Sequence, residues 1–254
     1  MQAYGKTFAK VYNARWGAFT DALAPKIESL FAACRTELGL SRTLVDLCCG
    51  TGNLAAYLLE KGYAVQGIDL SPSMIEYAVQ RNRAHVESGR ASFAVGDVAS
   101  TTLIRKVSYA TCLYDAINHL PSTEAIDSCI RGTFASLDAK GVFLFDINTA
   151  HALRRWNNFS VQEDDDIYIS TRGVFDPSMD RAYTQISGFI RIEDGQYERF
   201  SETVYNLVLS VRDLLSSVKN AGFASVHCAS AEDLSVPVED PESLRRAFFV
   251  CKKE

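Results

Sequence analysis

The segment VDLCCGTGNLA, residues 45–55, places Gly50 and Gly52 where an apolar run gives way to an amphipathic one. A loop that lacks side chains at the end of a buried strand lets backbone N–H groups approach a ligand. The helix that follows adds partial positive charge at its N-terminus. Seventeen residues past Gly52 a second apolar run ends at Asp69, followed by Leu70, Ser71 and Pro72. A carboxylate at the end of a second strand is positioned to accept both hydroxyls of a ribose. Together these features point to a nucleoside-containing cofactor. Gly50-x-Gly52-x-x-Ala55 also satisfies the dinucleotide fingerprint, so an NAD(P)-dependent oxidoreductase is a competing reading. A Tyr57-x-x-x-Lys61 string of the kind used in hydride transfer falls on the helix directly after the glycine loop, where it faces packing rather than substrate.

The elements that must position these groups follow from the patterning. From residue 43 to 148, apolar β-rich runs alternate with longer amphipathic stretches, which predicts βαβ units and a parallel sheet. Strands are expected at Thr43–Cys49, Ala64–Leu70, Ser92–Val98, Val107–Tyr114 and Gly141–Ile147, with helices over Asn53–Lys61, Pro72–Arg83 and Thr123–Leu137. Ser71 with Pro72, and Ser122, are helix-start signals. After Asn148 the pattern changes. Asp194-Gly195 and Asp176-Pro177-Ser178 sit between alternating runs and predict hairpins over about residues 166–209. The α/β pattern resumes with a helix at Val211–Ala221, a stop at Gly222, and strands at Ala224–Ala229 and Ala247–Lys252. Ahead of the sheet, Tyr4, Phe8, Tyr12 and Trp16 recur at every fourth residue, so one helical stripe carries four aromatic rings. That stripe either packs on the body of the protein or covers the active site with its phenols toward ligand.

Composition narrows the setting. The 254 residues are 47% hydrophobic and 22% charged, in the ordinary range for a globular chain with one sizeable core. No apolar run approaches the roughly 20 residues that cross a bilayer, and the N-terminus lacks a secretory order, which predicts a soluble cytoplasmic protein without a membrane partner. A net charge of −5 offers no basic stripe for a phosphate backbone, so the expected partner is a small molecule rather than nucleic acid. Seven cysteines without a CxxC spacing read as buried thiols in a reducing compartment, and no metal set is evident.

Taken in order, LVDLCCGTGNLAAYLLEKGYAVQGIDLSPSMIEYAVQ, GDV (96–98), CLYDAINHL (112–120), GVFLFDINT (141–149) and NAGF (220–223) resemble a class I S-adenosylmethionine-dependent methyltransferase of the small-molecule type. The resemblance implies an α/β three-layer Rossmann-like sandwich. Its mostly parallel seven-stranded sheet would have an antiparallel last strand, with an N-terminal helical cover (1–40), a split cofactor domain (41–150 and 209–254) and an antiparallel β insertion (151–208). It also implies site roles. Asp46 would face the methionyl amine; Cys49, Gly50, Thr51, Gly52 and Asn53 would lie along the methionyl and ribose moieties. Asp69 would hold the ribose hydroxyls, Leu70 and Met74 would sandwich adenine, and Asp97 with the Val98 N–H would read the adenine edge. Leu113 and Tyr114 would flank the sulfonium end. Cys48 stands where the commonest form has Gly, a tolerable small residue.

Methyl transfer from a sulfonium is an in-line displacement in which a neutral amine needs only to be aimed, whereas a phenol or acidic carbon benefits from a base. His119, following the fourth strand at the C-terminal sheet edge, is the candidate base, and Tyr12 is a second candidate catalytic residue. Expected substrate-binding residues are Tyr4, Tyr12, Trp16, Asn118, Trp156 and Tyr168. Phe175 and Tyr197 would complete an aromatic wall. The insertion roofs the pocket, forms a homodimer face, or does both. Glu163–Asp166 is either a solvated loop or an attractor for a cationic substrate. A methyltransferase-like protein that binds without turnover is the non-catalytic alternative.

Overall fold

The computed structural model describes residues 4–100, 106–192 and 195–254. Two helices, α1 (Lys6–Arg15) and α2 (Ala18–Leu38), precede a run of strands and helices: β1 (Thr43–Leu47), α3 (Asn53–Glu60), β2 (Ala64–Asp69), α4 (Pro72–Arg81), α5 (Arg83–Glu87), β3 (Ala91–Val95), β4 (Val107–Cys112), α6 (Thr123–Ser136), β5 (Leu137–Asn148) and α7 (Ala150–Leu153). Four strands follow, β6 (Asn158–Glu163), β7 (Ile167–Asp176), β8 (Arg181–Arg191) and β9 (Tyr197–Leu207). The chain closes with α8 (Val211–Asn220), β10 (Ser225–Ala229) and β11 (Arg246–Lys252).

The main sheet runs β10-β11-β5-β4-β1-β2-β3, with β11 antiparallel to both of its neighbours. It is the expected α/β Rossmann-like arrangement. Strand order reverses between β1 and β4, and in open α/β sheets ligands bind outside the carboxyl ends of the strands at such a point. Strands buried on both faces supply two cores: Val45, Leu47, Phe143 and Phe145 pack on one side of the sheet, Leu44, Val142 and Leu144 on the other. Helix starts follow local chemistry, since Ser71 Oγ accepts the Met74 N–H at 3.3 Å and Ser122 Oγ accepts that of Ala125 at 3.3 Å.

The insertion is a separate four-stranded antiparallel sheet, β6-β7-β8-β9. Its first strand, β6, begins earlier than the expected hairpins; Phe159 and Val161 alternate with polar residues there, yet every one of its residues is exposed. Asp194 of the predicted hairpin lies outside the described residues; Arg191 pairs with Tyr197 on either side of it. At the other turn, Asp176 Oδ1 accepts from the Ser178 N–H at 2.9 Å and the Ser178 hydroxyl at 2.6 Å.

Helix α1 joins the two sheets. Phe8 and Val11 pack with Ile167, Ile169, Ile186, Ile190 and Phe200 of the insertion, and burying Phe8, 3% exposed, contributes about 2–3 kcal/mol. Polar ties hold the same helix from both sides. Arg81 donates to Asn13 Oδ1 at 2.7 Å and Ser71 Oγ to the Tyr4 carbonyl at 2.8 Å, while Thr7 meets Glu198 and Arg15 meets Asp164.

Candidate active site

The loop after β1 is bent by three left-handed residues, Cys48 (φ 56°), Gly50 (φ 53°) and Gly52 (φ 74°). At Gly52 a Cβ would stand 2.8 Å from Asn82 Nδ2 and 3.0 Å from the Ala78 Cβ, so glycine is required by space as well as by φ. Asn82 donates to the Gly52 carbonyl at 3.3 Å and Arg81 Nε to that of Thr51 at 3.1 Å, so α4 holds the loop from behind.

Two carboxylates end the flanking strands. Asp69 accepts the Gly50 N–H and the Ser71 N–H, each at 2.9 Å, yet burial still holds its carboxyl above the usual range. Asp46, 3% exposed, is pushed up to about 7 by burial, against the lowering pull of the Thr111 hydroxyl bond at 2.6 Å. Neither carboxylate has a cationic partner among the described residues. Thr51 Oγ1 is buried beside them without a hydrogen-bond partner. A buried acid lacking a cation, an acid at the ribose position and an unsatisfied hydroxyl together fit a nucleoside cofactor that carries an ammonium group.

A cavity of about 750 Å³ opens from this loop toward the insertion. Asp46, Cys49, Gly50, Thr51, Asn53, Asp69, Leu70, Met74, Leu113 and Tyr114 line one part of it; Tyr4, Tyr12, Trp16, Asn118, His119 and Trp156 line the rest. The aromatic stripe therefore does both things expected of it: Phe8 is buried in the insertion core with Tyr4, Tyr12 and Trp16 packed against it, and all four residues line the cavity. Tyr12 stacks on Trp16 at 5.6 Å. Burial, with Asp115 adding to it, pushes the Tyr12 phenol up to about 12, and burial with Tyr12 raises that of Tyr4, so both stay protonated donors.

In the cavity wall lies a charged cluster that sequence reasoning missed. The chain leaves β4 through two consecutive left-handed residues, Tyr114 (φ 64°) and Asp115 (φ 52°), a strained conformation for side chains of this size. Two hydrogen bonds fix it: Tyr114 Oη donates to Thr20 Oγ1 at 2.7 Å, and the Asp115 N–H donates to Asp146 Oδ2 at 3.1 Å. Arg246 donates to Asp115 Oδ1 at 2.7 Å, pairs with Asp146, and lies 5.0 Å over the Phe19 ring. Burial raises Asp115, but Arg246 and His119 outweigh it and hold its carboxyl low; for the fully buried Asp146 burial wins and the carboxyl is raised. The only trace of this cluster in the sequence is a charged residue opening the apolar strand RAFFVCK.

Several expected roles change. His119 reaches the cavity, but its Nδ1–H donates to the Tyr205 carbonyl at 2.9 Å and its Nε2 faces Asp115 at 3.3 Å. Burial lowers its affinity for a proton and Asp115 more than restores it, and both ring nitrogens are engaged by these partners rather than by the cavity. Asn118, 0% exposed, spends its amide on the backbone: Nδ2 donates to the Asn148 and Leu207 carbonyls at 3.0 and 2.9 Å, and Oδ1 accepts the Asn148 N–H at 2.9 Å. It is a brace between β5 and β9.

Tyr168 lies outside the cavity, because its strand neighbours Ile167 and Ile169 take the face toward α1 and period two sends Tyr168 to solvent. Phe175 and Tyr197 are likewise absent from its walls, leaving Trp156, whose Nε1 donates to Thr184 at 2.9 Å. Gly52, Asp97 and Val98 do not line it: Gly52 packs against α4, Asp97 Oδ1 accepts the Ala99 N–H at 2.9 Å, and Val98 belongs to the core. The acidic run Glu163–Asp166 is removed from the cavity, with Asp164 paired to Arg15. Lys61 lies 5.4 Å over the Tyr57 ring on α3, also away from the cavity, so no Tyr–Lys pair faces a substrate there.

Residues 44–141 match the family model of a methyltransferase domain. YqeM of Bacillus subtilis (strain 168), named a methyltransferase, is 27% identical over 214 residues, 83% of each chain. Among solved structures, an S-adenosylmethionine-dependent methyltransferase from Clostridium acetobutylicum ATCC 824 superposes with a TM-score of 0.79 at 24% identity, covering 97% of this chain and 98% of its own. The sugar N-methyltransferase KedS8 from Streptoalloteichus sp ATCC 53650 gives 0.75 at 21% identity, covering 100% and 95%.

Proposed function

We propose that this chain, a class I S-adenosylmethionine-dependent methyltransferase, methylates an amine nitrogen of a small polar metabolite held between the glycine loop and the β insertion. The observation that carries this reading is the single cavity in which the two carboxylates of the cofactor half and the polar wall of the insertion meet, beside an imidazole with both nitrogens engaged. S-adenosylmethionine, when bound, supplies an electrophilic methyl on its sulfonium.

The chain's own residues do the rest. Asp46 takes the amino-acid ammonium, Asp69 the ribose hydroxyls, and the Thr51 hydroxyl a cofactor acceptor atom. Leu70 and Met74 offer apolar surface for the base. Tyr12 on α1, with Tyr4 before it and Trp16 at its C-cap, closes the cavity over the loop and excludes water, which strengthens the electrostatics inside. A neutral amine aimed along the line of displacement needs no base in contact. An acceptor phenol or carbon would need one, and His119 is committed to Asp115 and Tyr205. The N-methyltransferase KedS8, alike in fold, supports nitrogen as the acceptor.

In this reading residues 1–40 are the cover, 41–150 and 209–254 the cofactor half, and 151–208 the substrate cap. The seven free cysteines and the charge of −5 support a cytoplasmic site of action on metabolites rather than nucleic acid. The test is incubation with S-adenosylmethionine and a set of small primary amines, phenols and tRNA, followed by mass spectrometry. Methylated amines are the expected product; transfer confined to phenols or to tRNA would overturn the proposal.

A further inference from the structure

Asn206 on β9 is 2% exposed, lines the cavity, and its Oδ1 is buried without a hydrogen-bond partner. Asn148, the last residue of β5, is 6% exposed and also lines the cavity, and its side-chain amide makes no hydrogen bond among the described residues. The Asn118 brace sets these two residues side by side, because one Nδ2 is bonded to both the Asn148 carbonyl and the carbonyl of Leu207, the neighbour of Asn206. Both residues therefore line the cavity where the main sheet meets the insertion. Buried polar atoms of a native site are ordinarily satisfied, and a buried orphan at a cavity wall is satisfied by what the cavity takes.

The chemistry of that group is constrained. The orphan Oδ1 of Asn206 is an acceptor and needs a donor, while the Asn148 amide beside the cavity offers an acceptor and two donors. A hydroxyl satisfies both. A cationic group is disfavoured there: Arg246 is in the same wall, and Arg181, which precedes the register partner of Asn206, is half-buried and has no ion pair among the described residues. The nearby negative charges of Asp115 and Asp146 are already engaged by Arg246.

We propose that Asn148 and Asn206 form a specificity subsite for the neutral, hydroxyl-bearing part of the acceptor, so that the substrate is a polyhydroxylated amine of sugar-like chemistry. The amide pair holds its hydroxyls and the two arginines turn its amine toward the glycine loop. This rests on the amine-methyltransferase reading above and adds the substrate class.

The experiment titrates glucosamine and cyclohexylamine, which share a ring and an amine but differ in hydroxyls, into protein saturated with S-adenosylhomocysteine. Glucosamine is expected to bind at least about 10-fold more tightly. Asn206→Leu and Asn148→Leu should each cut glucosamine affinity about 10- to 100-fold and collapse that preference, with Asn206→Gln restoring part of it. Retained S-adenosylhomocysteine binding by each variant certifies that it is folded. Equal binding of the two amines, or a preference that survives both leucine substitutions, would overturn the subsite. Failure of wild-type protein to bind S-adenosylhomocysteine would overturn the reading beneath it.

Discussion

Replacing Arg246 by Met keeps an unbranched chain against Phe19 but removes the cation between Asp115 and Asp146. Asp146 is fully buried, Asp115 has 16% side-chain exposure and Arg246 24%, so the pair is only partly screened by solvent. Breaking a buried ion pair by removing one partner costs about 3–5 kcal/mol, and partial exposure of the guanidinium places the expectation near the lower end. With an m-value of about 3 kcal/mol/M, a loss of about 3 kcal/mol lowers the urea midpoint by about 1 M at pH 8. The sign with pH is fixed. Without Arg246 both carboxyls take up protons more readily, so the variant's deficit shrinks as pH falls from 8 toward 5. Urea unfolding followed by circular dichroism at the two pH values tests this. A midpoint shift under about 0.3 M, or one that is the same at both pH values, would refute the claim that Arg246 is the counter-ion organising the loop after β4.

Three further outcomes are expected. Because Asp46 is raised to about 7 when no cation faces it, and a cofactor ammonium favours its charged form, S-adenosylhomocysteine affinity should rise between pH 6 and 8 in wild type and be weak and flat in Asp46→Asn; calorimetry across that range checks it. Gly52→Ala should destabilise by about 1–3 kcal/mol, since the new methyl group meets Asn82 and Ala78 at a left-handed position, and should weaken cofactor binding in the same titrations. His119→Gln should lower the melting temperature while leaving the pH dependence of kcat unaltered. A lost limb in the pH profile would instead identify His119 as the base after all.

The parts of this site that lie close together along the chain were legible from the residues. Gly50 and Gly52 and the acid at Asp69 belong to one βαβ unit, and Tyr4, Tyr12 and Trp16 to α1 and the residues at its two ends, so spacing alone places them. Arg246, Asp115 and Asp146 were not legible, because they converge only when the antiparallel β11 is laid beside β5. Asn118 and Asn206 show the same limit from two sides. Residue type suggests that either could meet a ligand, and only the hydrogen-bond partners reveal that the first is spent on backbone and the second is not. Tyr168 was readable in principle, since the alternation of Ile167 and Ile169 already assigns it to the opposite face. Strand β6 carries the same alternation in Phe159 and Val161, but both side chains are exposed, so there the pattern does not mark a buried face.

The central claim is that the glycine loop and Asp69 form an S-adenosylmethionine site. Titration calorimetry of S-adenosylhomocysteine into wild type and Asp69→Ala measures it directly. One site per chain is predicted, weakened by about 1–3 kcal/mol, or about 5- to 150-fold, in the variant, with no heat from NAD. Binding of NAD without S-adenosylhomocysteine, or an unchanged dissociation constant in Asp69→Ala, would contradict it.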